Sequence, residues 1–235
     1  GIRVVERSRG LGDVYKRQDN VQPHCNNRFF LCIDLEDFFP SISIRRVNRV
    51  FSTIGYSDKA SVILSKLCTC EGSLPQGAVT SPSLSNLIAA KLDRRISGYT
   101  ARRKMMYTRY ADDITVSSNH PGRIYKSLDR IIKIIKSEHF IPNLSKLRVL
   151  GPRKKCFITG LIRNHKDIKF GIGKMKKRYM RAVMHRFLVD YTKINSKYQT
   201  EESINGWLSY LQGVDKTSYD QMRKYWEKLK EKYKG

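Results

Sequence analysis

Apolar and β-branched residues run without interruption from Phe29 to Ile33, and they recur on both sides of Ala111-Asp112-Asp113 within Met105–Ser118. The first run predicts a buried strand, and the second predicts two short antiparallel strands joined by a tight turn. Elsewhere the spacing is helical. Ile44, Val47, Val50, Phe51 and Ile54 share one face of a helix that Ser41 or Ser43 caps once Pro40 has ended the strand, and Gly55 closes it. An amphipathic stretch from Ser57 to Leu67 follows. Leu84, Leu87, Ile88, Leu92 and Ile96 predict a helix from Ser83 to near Gly98; Ile124, Leu128, Ile131, Ile132 and Ile135 predict another over about residues 122–138. Between these elements, Leu74 to Pro82 reads as a loop punctuated by Gly77 and two prolines, and Pro142 to Lys146 as a turn. Cys156–Ile162 and Ile168–Phe170 form a short hairpin in this reading.

Gly171 and Gly173 mark a change of composition. Beyond them Tyr179, Val183, Phe187 and Tyr191 make an apolar stripe, while Lys174, Lys176, Lys177, Arg178, Arg181 and Arg186 crowd the remaining faces. A stripe of this spacing is core more often than a base-stacking platform, but the basic faces suit a phosphate backbone. The pattern predicts a small helical domain over residues 174–235.

Charge sharpens the picture. The chain has 235 residues, 40% of them hydrophobic, with a formal net charge of +25 and a sequence pI near 10.0. Basic residues spread through the whole length favour nucleic acid over a local membrane anchor. No apolar run approaches the roughly 18 to 20 residues of a membrane span. Five cysteines, with Cys68-Thr69-Cys70 lacking the spacing of a zinc knuckle, suit free thiols in the cytoplasm better than a disulfide framework. Residues 1–18 stand apart: Asp13-Val14-Tyr15-Lys16-Arg17-Gln18 matches the translation of a transposon end used in sequencing libraries, and the segment reads as a cloning or assembly scar. It holds five basic and two acidic residues, so the chain stays strongly basic without it.

An Asp-Asp pair at a tight turn usually serves the turn itself, bonding nearby backbone N–H groups. Here Asp34, at the end of the Phe29–Ile33 strand, brings a third carboxylate toward Asp112 and Asp113. Three clustered carboxylates repel one another unless metal joins them, and hard oxygen ligands suit Mg²⁺, which keeps several waters and is completed by substrate phosphates.

Several segments, in order, resemble the successive motifs of reverse transcriptases. These are Asp34 with Phe38-Phe39, Leu74-Pro75-Gln76-Gly77 with Ser81-Pro82 and Asn86, Tyr110-Ala111-Asp112-Asp113, Asn143 with Lys146, and the strand pair near Thr159-Gly160. Within that family the chain is most similar to bacterial retron enzymes: Asn20-Val21-Gln22-Pro23-His24 resembles their Asn-Ala-x-x-His box and Ile158-Thr159-Gly160 their Val-Thr-Gly box. The resemblance implies an α+β, right-hand polymerase, with a palm of antiparallel sheet backed by helices over residues 19–173, only a remnant of fingers, and a helical thumb over 174–235.

It also implies roles. Asp34 and Asp112 bind two Mg²⁺ ions roughly 3.5 to 4 Å apart, Asp113 completes the charge cluster, and the Leu35 carbonyl is a further ligand. Phe39 is the steric gate against a 2′-hydroxyl, with Phe38 read as packing. Gln76 lies on the incoming nucleotide, Gly77 lets backbone approach it, and the Asp37 backbone meets the triphosphate. Lys146 protonates the leaving pyrophosphate; Asn20 and His24 are structural or contact RNA. Lys174, Lys176, Lys177, Arg178 and Arg181 bind nucleic acid.

The implied partners are an RNA template, a DNA or RNA primer, deoxynucleoside triphosphates and a cognate structured noncoding RNA, with an effector protein left open and no membrane. Two alternatives share the motifs: a group II intron type enzyme, and a basic RNA-binding protein whose site is vestigial. Intact carboxylates speak against the last. The short stretch from Asp19 to Ile33 leaves little for fingers, and Arg3, Arg7 and Arg9 lie in the suspected scar. The reading therefore expects this chain to bind RNA tightly but to use deoxynucleotides poorly unless an upstream segment is restored.

Overall fold

A strand apolar on every residue needs cover on both faces and a partner on both edges. The computed structural model, which describes residues 19–154, 156–163, 170–189 and 200–233, supplies the partners. Strand β1 (Phe29–Glu36) lies inside a four-stranded antiparallel sheet with β2 (Met106–Tyr110), β3 (Asp113–Ser118) and β4 (Ile141–Leu150), in the order β2-β3-β1-β4. Four helices accompany it: α1 (Ile44–Ile54), α2 (Asp58–Cys68), α3 (Ser81–Ala101) and α4 (Pro121–Ser137). Helix α4 packs on β1, β3 and β4, while α3 packs on β2. One apolar core joins them, with Leu31, Ile33, Ile42, Leu74, Leu92, Ile96, Ile114, Ile131, Ile135 and Phe140 all but sealed from water. Burial of such side chains, at ~1.5 to 3 kcal/mol each, holds the sheet against its helices.

The described chain divides into two compact units. The first spans residues 26–154 and contains everything above. The second contains residues 19–25 and the described residues from 156 onward. Its strands β5 (Phe157–Ile158), β6 (Leu161–Arg163) and β7 (Phe170–Gly171) form an antiparallel sheet, followed by α5 (Lys174–Val189), α6 (Glu201–Val214) and α7 (Lys216–Lys232). Thr159 and Gly160 both take positive φ, at 46° and 79°, between the paired residues Ile158 and Leu161. That is the backbone of a two-residue turn whose twist matches paired strands. Gly173 has φ 76°, and a Cβ there would overlap the Ile162 side chain. Helices α6 and α7 begin on side-chain caps, Thr200 accepting from the Ser203 N–H and Asp215 from the Ser218 N–H.

The architecture is α+β, an antiparallel sheet backed by helices, as expected, but several local expectations fail for physical reasons. The strand ends at Glu36, not Pro40: residues 37–41 form a turn in which the Asp37 carbonyl accepts the Ser41 N–H at 2.7 Å. Helix α3 starts at Ser81 and runs through Gly98 to Ala101. Pro142 to Lys146 is no free turn but part of β4, where proline is tolerated because the strand lies at the sheet edge. Small polar residues, not large apolar ones, are the buried residues of α2. Ser61 and Ser65 are buried with their hydroxyls bonded to the Tyr56 and Ser61 carbonyls, which lets α1 approach closely, while Val62, Ile63 and Leu67 face outward. On α5 the buried residues are Met180, Val183 and Met184, with Tyr179 half exposed. Residues 1–18, Ile168, Lys169 and Tyr191 lie outside the described residues.

No helix among the described residues is long and apolar enough to cross a membrane, and no disulfide joins the five cysteines.

Candidate active site

The antiparallel register puts the acids together. Asp34 near the end of β1 stands opposite Asp113 at the start of β3, and the Leu35 N–H donates to the Asp112 carbonyl at 3.1 Å. The hairpin between β2 and β3 closes on Ala111 and Asp112, with Tyr110 paired to Asp113. Ala111 carries a left-handed φ of 51°, a conformation that costs a non-glycine residue about 1 to 2 kcal/mol and so must be held by its surroundings. The sequence reading of two acids at a hairpin tip beside a third is therefore met by the backbone.

Their electrostatics follow. Partial burial raises the Asp112 carboxyl above its ordinary range, and the charge of Asp34 and its hydrogen bond with Asp112 add to the rise, while a backbone hydrogen bond and Lys146 oppose it. Asp113 keeps its side chain accessible, yet desolvation by the packed strand ends, with repulsion from Asp112 and Asp34, also raises it; Arg148 and Lys146 oppose. The corner is a concentration of negative charge only partly compensated by protein cations.

Lys146 is the nearest compensating cation. Its Nζ lies 2.8 Å from Asp34 Oδ2, although the lysine side chain is 65% exposed. That hydrogen bond, and the Asp34 charge behind it, raise the lysine above its ordinary value. Strand β4 delivers it through a bulge. Cys32 faces Arg148 and Asp34 faces Asn143, so residues 144–147 stand opposite Ile33 alone. Asn143 Oδ1 accepts from the Ser145 hydroxyl at 2.6 Å and the Lys146 N–H at 3.3 Å, shaping the bulge. The turn expected from the sequence is thus a turn-like bulge within a strand.

After β1 the chain places the other candidates. Asp37 has φ 44° in the exposed turn. Phe38 is 4% exposed, packed on Phe140 with ring centroids 5.5 Å apart, and Phe39 packs edge-on against it at 5.3 Å while remaining half-buried. The Leu74 N–H donates to the Ile42 carbonyl at 3.1 Å, so the loop carrying exposed Gln76 and Gly77 is tied to this same turn. Gly77 has φ 91°, which explains glycine there independently of any ligand. The Ser81 hydroxyl donates to the Pro75 carbonyl at 2.7 Å, fixing the loop to the start of α3.

Asp34, Leu35, Asp37, Phe39, Gln76, Gly77, Asp112, Asp113 and Lys146 all belong to the first unit. Lys174, Lys176, Lys177, Arg178 and Arg181 belong to α5 of the second; Lys177 pairs with Asp215 at 3.7 Å, and Lys176 and Arg181 lie over the rings of Tyr210 and Tyr225. Asn20 and His24 are fully buried, and burial pushes the His24 imidazole down to about 3, so it is neutral at physiological pH.

Among the described residues no group of three or more His, Cys, Asp or Glu side chains is arranged so that it could hold a metal ion. The donor chemistry nevertheless fits a hard divalent cation. The corner offers only carboxylate and carbonyl oxygens, crowded enough to raise their proton affinity, and Mg²⁺ needs one or two such ligands when substrate phosphates supply the rest.

The sequence reading passed over Arg109 and Asp93. Their side chains pair at 2.7 Å inside the first unit, only 4% and 6% exposed. The available signal was an acid at position 93, among Ala89, Leu92 and Ile96 on the apolar face of α3.

Residues 4–170 match the family described as reverse transcriptase (RNA-dependent DNA polymerase). The chain is 40% identical to the retron Ec86 reverse transcriptase of Escherichia coli, over 92% of its own length and 65% of the relative's. It is 31% identical to the retron Mx65 reverse transcriptase of Myxococcus xanthus, over 79% and 47%. It thus spans about half to two thirds of the length of these curated relatives. Among solved structures, apo telomerase from Candida tropicalis shares the fold at TM-score 0.53 and 9% identity, covering 95% of this chain and 47% of that one. The foamy viral protease-reverse transcriptase, solved with an RNA/DNA hybrid, does so at TM-score 0.50 and 19% identity, covering 86% and 26%.

Proposed function

Because this chain belongs to the reverse transcriptase family, we propose that it acts as an RNA-directed DNA polymerase of retron type, extending a DNA or RNA primer on an RNA template with deoxynucleoside triphosphates. Its cognate template is a structured noncoding RNA. The observation that carries the reading is the meeting of Asp34, Asp112 and Asp113 at one corner of the sheet.

In this mechanism Asp34 and Asp112, with the Leu35 carbonyl, would hold two Mg²⁺ ions, and Asp113 completes the charge cluster. Bound there, the metal would supply Lewis-acid activation of the primer 3′-hydroxyl and neutralisation of the nucleotide's phosphates. The remaining tasks fall to the chain itself. Gln76 and Gly77 lie along the incoming nucleotide, the Asp37 backbone meets its triphosphate, and the Phe39 ring closes the space that a 2′-hydroxyl would need. The primer 3′-oxygen gives up its proton to solvent and forms its bond to the α-phosphorus as the bond to the bridging oxygen breaks and pyrophosphate departs. Lys146 holds a proton on Nζ and delivers it to the departing pyrophosphate. Position supports that assignment, since Nζ lies 2.8 Å from Asp34 Oδ2 at the same corner. Contact with Asp34 strengthens its hold on the proton, so donation depends on the pyrophosphate drawing the ammonium off the carboxylate.

The palm with a remnant of fingers covers residues 19–173 and the thumb 174–235. Lys174, Lys176, Lys177, Arg178 and Arg181 follow the phosphate backbone, so RNA affinity falls steeply with salt. Primer extension by the Asp112→Asn and Asp113→Asn variants tests the reading: extension is lost in both while RNA affinity stays nearly unchanged. A variant with parental turnover removes the metal assignment.

A further inference from the structure

Arg109 and Asp93 face each other from β2 and α3 inside the first unit, and the pair does more than neutralise itself. The guanidinium donates from Nε to Asp93 Oδ1 at 2.8 Å and from Nη2 to Oδ2 at 2.7 Å, a two-point clamp. Tyr107, two residues back on the same strand, donates its hydroxyl to Oδ1 at 2.6 Å. With the carboxylate so fixed, the outer donors of the fork reach two other groups. Nη2 meets Asn86 Oδ1 at 3.3 Å, and Nη1 donates to the Ala111 carbonyl at 2.9 Å. The same guanidinium carbon lies 5.6 Å from the ring centre of Phe38, which packs edge-on against Phe39.

Ala111 is the left-handed residue of the carboxylate turn, immediately before Asp112. Its carbonyl belongs to the peptide that leads into Asp112, so fixing that oxygen fixes where the first acid of the tip departs from the backbone. The other face of the tip is held by the Leu35 N–H on the Asp112 carbonyl. Successive carbonyls of a strained turn are therefore gripped from opposite partners, β1 and Arg109. Helix α3 supplies the fixed end of the second grip through Asn86 and Asp93, and at its own start Ser81 holds the Pro75 carbonyl of the loop that carries Gln76.

We propose that Arg109, clamped on α3 by Asp93 and Asn86, is a positioning residue that holds the Ala111 carbonyl and so sets the placement of Asp112 and Asp113 relative to Asp34 and to the Gln76 loop. The proposal rests on the polymerase reading of the site. A purely stabilising role explains it less well, because a buried ion pair contributes little net stability compared with apolar residues of the same size. Lysine cannot substitute, since a point charge has no planar fork to serve Asp93, Asn86 and Ala111 at once.

Arg109→Lys in the full chain is the test, read with primer–template affinity, steady-state extension, and amide hydrogen exchange over residues 110–114. The expected result is unchanged RNA affinity, faster exchange at the hairpin tip than in α4, a kcat lowered by about tenfold or more, and a deoxynucleotide KM within about threefold of the parent, as for a misplacement of reacting groups. Parental kcat together with parental exchange at the tip overturns the proposal, even if the melting temperature falls. Should Arg109→Lys fail to fold, Asn86→Ala leaves the Asp93 clamp whole and is read in the same way, with faster tip exchange expected and parental exchange overturning. Asp112→Asn in parallel separates the two levels. If Asp112→Asn extends as well as an extending parent, the polymerase reading fails while the exchange result still judges the clamp. If the parent extends, Asp112→Asn does not, and Arg109→Lys matches the parent in turnover and exchange, only the positioning role fails.

Discussion

Strand β1 has two unlike edges. On the β3 side, six consecutive residues pair without a break from Phe29 with Ser118 to Asp34 with Asp113. On the β4 side the register slips between Cys32 and Asp34, and residues 144–147 bulge opposite Ile33. The difference follows the length of the side chains each edge must deliver. An aspartate reaches little beyond its own Cα, so three of them meet only if the backbone register brings them together. A lysine has four rotatable carbons, and an edge that bulges outward can still bring its ammonium 2.8 Å from Asp34. The regular edge fixes acids, and the irregular edge presents a cation that has room to move off them.

Replacing an acid on the regular edge gives the largest expected effect. Asp112→Asn keeps the shape and the Leu35 contact but removes a full charge from the corner, and extension falls by about a thousandfold or more, about 4 kcal/mol of lost transition-state stabilisation. RNA affinity is unchanged because the proposed phosphate-tracking residues lie elsewhere. A loss no larger than that of a lysine variant on the opposite edge, in the same primer-extension assay, would erase the distinction between the two edges.

On the bulged edge, Lys146→Gln retains polarity and most of the length without the charge or a transferable proton. Turnover drops by about a hundredfold, the typical scale for one general acid, with template affinity unaffected. Presteady-state incorporation separates this chemical step from product release. If the rate is unchanged, the contact with Asp34 is only charge compensation on an exposed side chain, where ion pairs contribute little.

Beyond both edges, where β1 runs into the turn, Phe39→Ala tests the gate. Selectivity for deoxynucleotides over ribonucleotides falls by about tenfold or more, each tenfold step being about 1.4 kcal/mol of discrimination. Phe39 is half-buried against Phe38, so the competing result is lower stability with unaltered sugar selectivity, which assigns the ring to packing.

What was legible from the residues tracks the same contrast. The hairpin at Ala111-Asp112 and the strand that ends near Asp34 follow from alternation, turn chemistry and a continuous apolar run, signals that are local and periodic, whereas the register that sets Asp34 opposite Asp113 comes from the sheet. The bulge looks like a turn in the sequence because Pro142, Asn143 and Ser145 are turn residues whether or not a strand surrounds them, and only pairing to β1, more than a hundred residues earlier, reveals the strand. The inward face of helix α2 is hidden from the sequence for a related reason. Ser61 and Ser65 satisfy their hydroxyls within the helix and can be buried, so polarity alone does not identify that face. Asp93 and Arg109 escaped notice because each looks ordinary until tertiary packing brings them together.

The smallest expected effect asks what shapes the bulge itself. Asn143 Oδ1 accepts two local bonds, from the Ser145 hydroxyl and the Lys146 N–H, and Asn143→Ala removes both. Two such bonds at an exposed site contribute about 1 kcal/mol together, and the β1 pairing on either side of the bulge remains. The lysine is then presented less uniformly but not lost, so kcat falls by about two- to fivefold, a change of about 0.4 to 1 kcal/mol. If Asn143 acts only through Lys146, the change has no further effect in a Lys146→Gln background, and the two substitutions are strongly non-additive in a double-mutant cycle. Additive losses would instead give Asn143 a contribution of its own at the corner, through its register position opposite Asp34 rather than through the lysine it presents.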